Sequence, residues 1–553
     1  MRTLQSTLRT RPNIPQPIKG PTRLRLPFCQ NGHRFHASDL PPNHTSTDSQ
    51  PEWMALYDFP SMDDLNSETY LRLRGPPAKS PRETATMKHI TVDRRLYDHI
   101  FTRSVDKYDS DKNMEDVGFS GGRVMVAVAA TLKPGEDAEK EFGRWYDDEH
   151  VNLLSKVPGW LRTRRFKTSG IDTQAVEAGK VEYLALHEYE AENGLGGPEF
   201  KTATTTQWTQ KIKDEVLASP LRRRVWSLVY TFGSAPRDLA AVGSKEAQAF
   251  EAKDGINDYV TKTIPGPRPA IESYVKVSDG TILFYRLEGS TEPDAPLLVL
   301  SNSILVDWGI WNTFVSDLLS RAENGKFRVL RYQTRGRHQK SGTEDVDIDL
   351  LAADIISLLD ALRVPRATAL IGVSLGGVTV LNAALKYPAR VGAFVACDTN
   401  AFAPPTNAKA WGERIEVAEK QGVKAEGSGE AVVGDELAEM TVRRWFVEES
   451  YDGGEMAREV ERVKRMVETN SLEGFKNCVG ALFGYDVREE MKSASVKGAF
   501  VAGSGDGVLP KTMQDMANGY GQGAEFKVVE GAGHLPMVEK PKQVAEFVSK
   551  FLN

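Results

Sequence analysis

The stretch Ala367-Thr-Ala-Leu-Ile-Gly-Val-Ser-Leu-Gly-Gly377 decides the fold of the second half of this chain. An apolar run leads directly into Gly372-Val-Ser-Leu-Gly376 and then into a helix-forming segment, which predicts strand, sharp turn and helix with Ser374 at the turn. Glycines at 372 and 376 remove the Cβ atoms that would block so tight an approach of strand and helix. A serine hydroxyl is a weak nucleophile at neutral pH, so Ser374 calls for a histidine base and a carboxylate to orient that base.

Both lie downstream. Asp506 follows the apolar run Gly498-Ala-Phe-Val-Ala502 in Gly503-Ser-Gly-Asp-Gly507, and His534 follows Phe526-Lys-Val-Val-Glu530 in Gly531-Ala-Gly-His-Leu-Pro536. Of nine histidines only His338 and His534 fall after residue 270, and His338 sits in a loop after Phe327–Tyr332 that suits bracing. Asp506 is the preferred acid, with Asp398 at the end of Gly392–Cys397 as the alternative. The order Ser, Asp, His resembles that of α/β-hydrolases. Two backbone amides suit an oxyanion: Leu375, directly after the nucleophile, and Ser303, in the loop after Pro296–Ser301.

The resemblance narrows over residues 270–553. Leu300-Ser-Asn-Ser-Ile-Leu-Val-Asp-Trp-Gly-Ile-Trp311, Arg331-Tyr-Gln-Thr-Arg-Gly336, Trp411-Gly-Glu-Arg-Ile415, Arg443-Arg-Trp-Phe446 and Ala481-Leu-Phe-Gly-Tyr-Asp-Val-Arg488 are similar to segments of the 3-oxoadipate enol-lactonase family. Gln333 stands where that family usually has Asp, and Arg337-His338 replaces a usual His-Gly. The resemblance implies a hydrolase that opens an enol-lactone or related ester through an acyl-Ser374 intermediate. The alternatives are a lactonase or esterase of secondary metabolism acting on a bulkier substrate, and a non-catalytic hydrolase-fold ligand sensor. In the cap, Trp411, Trp445 and Phe446 offer apolar walls, and Arg414 or Arg444 can pair with a substrate carboxylate through a two-pronged contact.

Composition limits the partners. A formal charge of −6 supplies no basic field for nucleic acid, and no run of 18 apolar residues predicts a membrane span. Cys29, Cys397 and Cys478 lack paired ligand spacing, which argues for a reducing compartment without structural zinc, and no metal or cofactor is expected. The partner expected is a small lactone or ester in the cytoplasm.

The amino-terminal half contains a repeat. Pro51-Glu-Trp-Met-Ala-Leu-Tyr-Asp-Phe59 matches Val181-Glu-Tyr-Leu-Ala-Leu-His-Glu-Tyr189, and each is followed by a polar stretch and a closing strand, Arg94–Phe101 or Arg223–Tyr230. With Arg123–Ala129, a helix over Glu139–His150 and Pro158–Phe166, the second copy reads as β-α-β, β-α-β. The W-Y-x-x-E-H helix and P-G-W strand resemble dimeric α/β-barrel (EthD-like) domains, in which two ferredoxin-like sheets pack face to face. His150 is the one candidate there for general-base chemistry, against a purely structural role.

The expected organisation is residues 1–50 disordered or a transit segment, 51–110 an incomplete repeat lacking its opening strand and helix, and 120–235 a complete repeat. A linker over 236–268 and an α/β-hydrolase over 269–553 follow, with a helical cap at about 400–490. Residues 1–38 contain seven Arg and Lys and no Asp or Glu, a transit-peptide composition that makes a mitochondrial address the alternative. An incomplete first repeat would favour self-association through the barrel module.

Overall fold

The computed structural model describes residues 2–8, 25–26, 29, 31–41, 50–61, 63–73, 92–106, 123–172, 179, 181–243, 247, 249–253, 259–292, 294–338, 345–451, 453–521 and 523–553. They form two units, Met1–Ser234 with Ala252–Tyr259, and Ala235–Glu251 with Val260–Asn553.

The first unit is a curled antiparallel sheet closed into a barrel. Its strands are β1 (Arg2–Leu8), β2 (Asn31–Ala37), β3 (Trp53–Phe59), β4 (Val92–Ser104), β5 (Val124–Ala130), β6 (Trp160–Thr168), β7 (Tyr183–Tyr189) and β8 (Arg222–Thr231). The order around the barrel is β1-β3-β2-β8-β5-β7-β6-β4. Each half therefore repeats one arrangement, β4-β1-β3-β2 and β8-β5-β7-β6. The side-chain period of two separates the faces. Met54, Leu56, Leu184 and Leu186 join Phe166 and Trp226 in one buried cluster. The intervening Ala55, Tyr57 and Phe59 pack with Tyr70 of helix Glu68–Arg72. Tyr183 and Ala185 pack with Phe142 and Trp145 on the other half.

The same inward parity carries Asp58, Arg164 and Glu188. Arg164 pairs with Asp58 at 3.1 Å and Glu188 at 3.2 Å, and Arg162 with Glu188 at 2.8 Å. Glu182 also takes Tyr97, Arg95 and Arg222. Of these, the Arg164–Asp58 pair and the contacts of Glu182 with Tyr97 and Arg95 join the first half to the second.

Two expectations need correction. Residues 1–50 contain two barrel strands, so the first repeat does have its opening strand. Arg2-Thr-Leu-Gln-Ser-Thr-Leu8 carries two apolar residues only; it is placed by pairing with β3 on one side and β4 on the other. The boundary also falls earlier than 268. Leu239 and Val242 of helix Leu239–Gly243 are buried in the second unit's core, and the Tyr285 hydroxyl donates to the Pro236 carbonyl at 2.6 Å.

The second unit is a ten-stranded sheet of β9 (Phe250–Lys253), β10 (Val260–Ile264), β11 (Ala270–Lys276), β12 (Ile282–Gly289), β13 (Leu297–Ser301), β14 (Arg328–Tyr332), β15 (Ala369–Val373), β16 (Ala393–Cys397), β17 (Lys497–Gly503) and β18 (Glu525–Val529). Its order is β18-β17-β16-β15-β13-β14-β12-β11-β10-β9. Pairing is parallel from β14 to β18 and antiparallel from β10 to β12 and at β12 with β14. The central strands are apolar throughout because both of their faces are buried. The chain leaves β13 for β14 on one side and later returns to β15 on the other. That reversal opens a crevice at the carboxyl ends of β13 and β15, where open α/β sheets place their ligands. Helices Asn407–Gln421, Asp435–Trp445, Gly454–Glu468 and Leu472–Val479 form the insertion between β16 and β17.

Candidate active site

Ser374 lies between β15 and helix Leu375–Lys386 with φ 57° and ψ −118°, a conformation that costs a non-glycine residue on the order of 1–3 kcal/mol. Its surroundings hold it there. The Ser374 amide donates to the Cys397 carbonyl at 2.9 Å, and Thr399 Oγ1 donates to the Ser374 carbonyl at 2.8 Å. A Cβ at Gly372 would lie 2.0 Å from the Gly376 carbonyl oxygen, and one at Gly376 would lie 2.3 Å from that of Ser301. Only glycine permits this turn.

The second contact also lays the loop after β13 against the start of that helix. Asn302 fixes the loop: its Nδ2 donates to the Tyr332 carbonyl at 2.8 Å and its Oδ1 accepts from Trp311 Nε1 at 2.9 Å. Ser303 follows, buried, and among the described residues its amide has no acceptor. Leu375 is the first residue of its helix, so its amide has no partner within that helix. Two free amides thus sit on adjoining segments beside Ser374.

Asp506 and His534 arrive on two loops that meet through glycine. A Cβ at Gly503 would lie 1.9 Å from the Gly533 carbonyl oxygen, and one at Gly533 would lie 2.4 Å from that of Trp445. The Gly505 amide donates to the Ala532 carbonyl at 2.8 Å, and the His534 amide to that of Trp445 at 2.7 Å. His534 Nδ1 is 2.6 Å from Asp506 Oδ2. Trp445 stacks on the imidazole, with centroids 5.7 Å apart and planes 29° apart. Burial pushes the Asp506 carboxyl up, but its contact with His534 and the Arg444 charge hold it below its ordinary range.

Asp398 does not pair with His534. It ends β16, 1 % exposed, with Oδ1 accepting from the Gly503 amide at 2.9 Å. His338 lies beside Phe284, ring centroids 6.2 Å apart, and is not brought to Ser374 by any contact among the described residues. Arg337 braces the cap by donating to Thr469 Oγ1 at 2.9 Å, Asn470 Oδ1 at 3.2 Å and the Met466 carbonyl.

Trp411 is buried. The Arg414 guanidinium lies 4.4 Å from its ring centroid and that of Arg444 lies 5.6 Å from it. Neither guanidinium has a hydrogen bond or ion pair among the described residues. Arg444 is also close enough to lower the Asp506 carboxyl. In the first unit, His150 Nδ1 meets the Ala203 carbonyl at 2.9 Å and its ring stacks on Trp145. Burial pushes this histidine down to about 4, and it stands within a packed interior.

The sequence reading missed Glu539. This buried carboxylate accepts from Ser450 Oγ at 2.6 Å, the Val447 amide at 3.1 Å and the Gly533 amide at 2.5 Å, tying the cap to the histidine loop. Its signal was one acid closing the apolar run Leu535-Pro-Met-Val-Glu539.

Residues 298–547 match the alpha/beta hydrolase family. 3-Oxoadipate enol-lactonase 1 of Acinetobacter baylyi is 29% identical over 260 residues, covering 47% of this chain and 89% of that protein. The pimeloyl-[acyl-carrier protein] methyl ester esterase of Aeromonas hydrophila is 26% identical over 261 residues, covering 46% and 95%. The crystal structure of the enol-lactonase from Burkholderia xenovorans LB400 covers 51% of this chain and 99% of its own, at 26% identity and a TM-score of 0.44.

Proposed function

We propose that the second unit, a hydrolase of the α/β-hydrolase superfamily, opens an enol-lactone or a related carboxylic ester through an acyl-Ser374 intermediate. The observation that carries this reading is the 2.6 Å contact of His534 Nδ1 with Asp506 beside a serine held at positive φ. Asp506 accepts a hydrogen bond from His534 Nδ1–H, which leaves Nε2 free to take the proton of Ser374 Oγ as that oxygen attacks the ester carbonyl carbon. The Ser303 and Leu375 amides receive the charge that develops on the carbonyl oxygen, an effect of ~3 kcal/mol for each donor. Collapse breaks the ester C–O bond, and His534 returns the proton to the departing enol oxygen. In a lactone that oxygen remains part of the acyl chain, so the ring opens without losing a fragment. Water activated by His534 then releases the acid.

Trp411 and Trp445 wall the substrate, while Arg414 and Arg444, lacking protein carboxylates, suit an anionic substituent. A second reading, an ester hydrolase with a bulkier substrate, is favoured by Gln333. Its buried Oε1 has no hydrogen-bond partner among the described residues, which leaves it available to a polar group of a substrate.

The barrel is read as two ferredoxin-like halves, β1–β4 and β5–β8, that do within one chain what dimeric α/β barrels do with two. Its closure leaves no open edge, so it needs no second copy, and His150 is structural. The proposed partner is a small lactone or ester. Among the described residues no helix is long and apolar enough to cross a membrane.

The deciding experiment offers muconolactone, 3-oxoadipate enol-lactone and p-nitrophenyl esters to the full chain. Turnover of the enol-lactone, with a serine-directed phosphonate adding its mass to the Ser374 peptide, supports the reading. Turnover of esters alone selects the second reading, and no turnover with no phosphonate adduct removes both.

A further inference from the structure

Asp398 is an acid that this mechanism leaves idle, and its surroundings are unusual. It closes β16 at φ 42°, a left-handed conformation that aspartate and asparagine tolerate better than most residues. One carboxyl oxygen is fixed by the Gly503 amide at 2.9 Å. The other, Oδ2, is buried and meets no donor among the described residues. What it does meet is a second acid. Carboxyl oxygens of Asp398 and Asp506 and a ring nitrogen of His534 all lie within 4.8 Å of one another.

Two carboxylates in such contact do not both ionise. Asp506 has a ring nitrogen at 2.6 Å and Arg444 nearby, so the negative charge belongs there. Asp398 is fully buried, has the Gly503 amide, and carries no cation contact among the described residues while Asp506 and Glu539 both act against its ionisation, so the proton belongs on Asp398.

We propose that Asp398 is a positioning residue, held as the neutral acid, whose Oδ2 hydroxyl donates to the Asp506 carboxylate and aims that carboxylate at His534 Nδ1. This rests on the reading of Ser374, Asp506 and His534 given above. Burial and the Asp506 charge both push the Asp398 carboxyl well above its ordinary range, in the direction the geometry requires. The arrangement leaves one Asp506 oxygen for the imidazole and restrains the other, so the carboxylate cannot swing away when the imidazole becomes charged.

Asparagine reproduces this acid. Its Oδ1 can accept from Gly503 and its Nδ2 can donate to Asp506, and it tolerates the same φ. With p-nitrophenyl acetate as the probe, Asp398→Asn should keep kcat within about threefold of the wild type, and the acidic limb of its kcat/KM profile should not move. Asp398→Ala, which has no donor, should lose about tenfold or more in kcat with KM unchanged. The infrared carbonyl band of a protonated carboxylic acid should be present in the native full chain at neutral pH and absent from Asp398→Asn. That band needs no substrate, so it tests Asp398 even if Ser374→Ala keeps its turnover and the reading of the reaction fails. An acidic limb that falls by half a pH unit or more in Asp398→Asn would mean that Asp398 is ionised, and would overturn the proposal. So would a missing infrared band, equal activities of the Asn and Ala variants, or activity lost to a chelator and restored by a divalent cation.

Discussion

The barrel and the hydrolase site both bury charge, and they arrange it in opposite ways. Inside the barrel, Arg162 and Arg164 face Asp58 and Glu188 at 2.8–3.2 Å, acid against base, with partners drawn from both halves of the repeat. In the second unit, Arg414 and Arg444 both lie near the Trp411 ring with no carboxylate in contact among the described residues, and Asp398 lies within 4.8 Å of Asp506, acid against acid. Matched charges hold a structure together; unmatched ones keep a capacity for something that is not yet there. The contrast is between sets of residues and not between whole units, since the second unit also has a matched cluster in which Arg335 pairs with Asp354 and Asp279.

The comparison breaks first at Ser374. If the unmatched site is the chemical one, Ser374→Ala should reduce kcat by about 10⁴-fold or more, as loss of a nucleophile does elsewhere. Circular dichroism and thermal unfolding should be unchanged, because removing one hydroxyl leaves almost no cavity. Turnover above a hundredth of the native rate would move the chemistry to another group.

The next largest effect should be in the barrel. Arg164→Met removes one buried cation from Asp58 and Glu188, and breaking one side of a buried pair costs about 3–5 kcal/mol. Urea unfolding followed by barrel tryptophan fluorescence should show that loss, while turnover at low urea remains. A barrel unaffected by this substitution would mean that the ion pairs do not join its halves.

Protonation should separate the regions less strongly. Burial pushes His33 down to about 3, His150 to about 4 and His187 to about 3, so the folded barrel stays neutral at these rings between pH 4 and 6.5 while the unfolded chain takes up protons. The unfolded state binds more protons there, so stability rises with pH through that window and is lost as pH falls below 6.5. Between pH 8 and pH 6 each ring should cost the barrel just under ~1 kcal/mol. Unfolding midpoints of the barrel measured at both values check this, and equal midpoints would show that these rings are hydrated in the folded protein.

The sequence disclosed the site better than the barrel, for physical reasons. A nucleophile turn is a local demand, and Gly372, Ser374 and Gly376 declare it within five residues. The glycine-flanked loops of Asp506 and His534 are equally compact signals. Which acid meets His534 is a long-range matter, settled by the contact of Gly503 with Gly533, and nothing in the run Gly392–Cys397 shows where the Asp398 carboxyl will point. β1 was illegible because its apolar content is low and its place depends on two neighbours more than 40 residues away. The helix Leu239–Gly243 was read as linker because five residues are too short to display a helical period, although two of them are fully committed to a core.

The smallest effect, and the sharpest on substrate, belongs to the two unpaired guanidiniums. Arg414 and Arg444 stand 4.4 and 5.6 Å from the same indole, and like charges so close persist only where an anion is expected or water screens them. If a substrate carboxylate is the missing partner, Arg414→Met or Arg444→Met should raise KM for carboxylate-bearing lactones about tenfold, the ~1.4 kcal/mol of one charge-assisted contact. Neutral p-nitrophenyl esters should keep their KM, because methionine preserves the apolar cover of Trp411 while removing the charge. kcat should change little, since a contact made equally to the ground state and the transition state acts on binding alone. Raising the salt should weaken the native preference for anionic substrates and leave the variants unaffected. Equal losses on charged and neutral substrates would instead mean that the arginines shape the tryptophan wall, and the unmatched charge of this site would then reduce to Asp398 and Asp506.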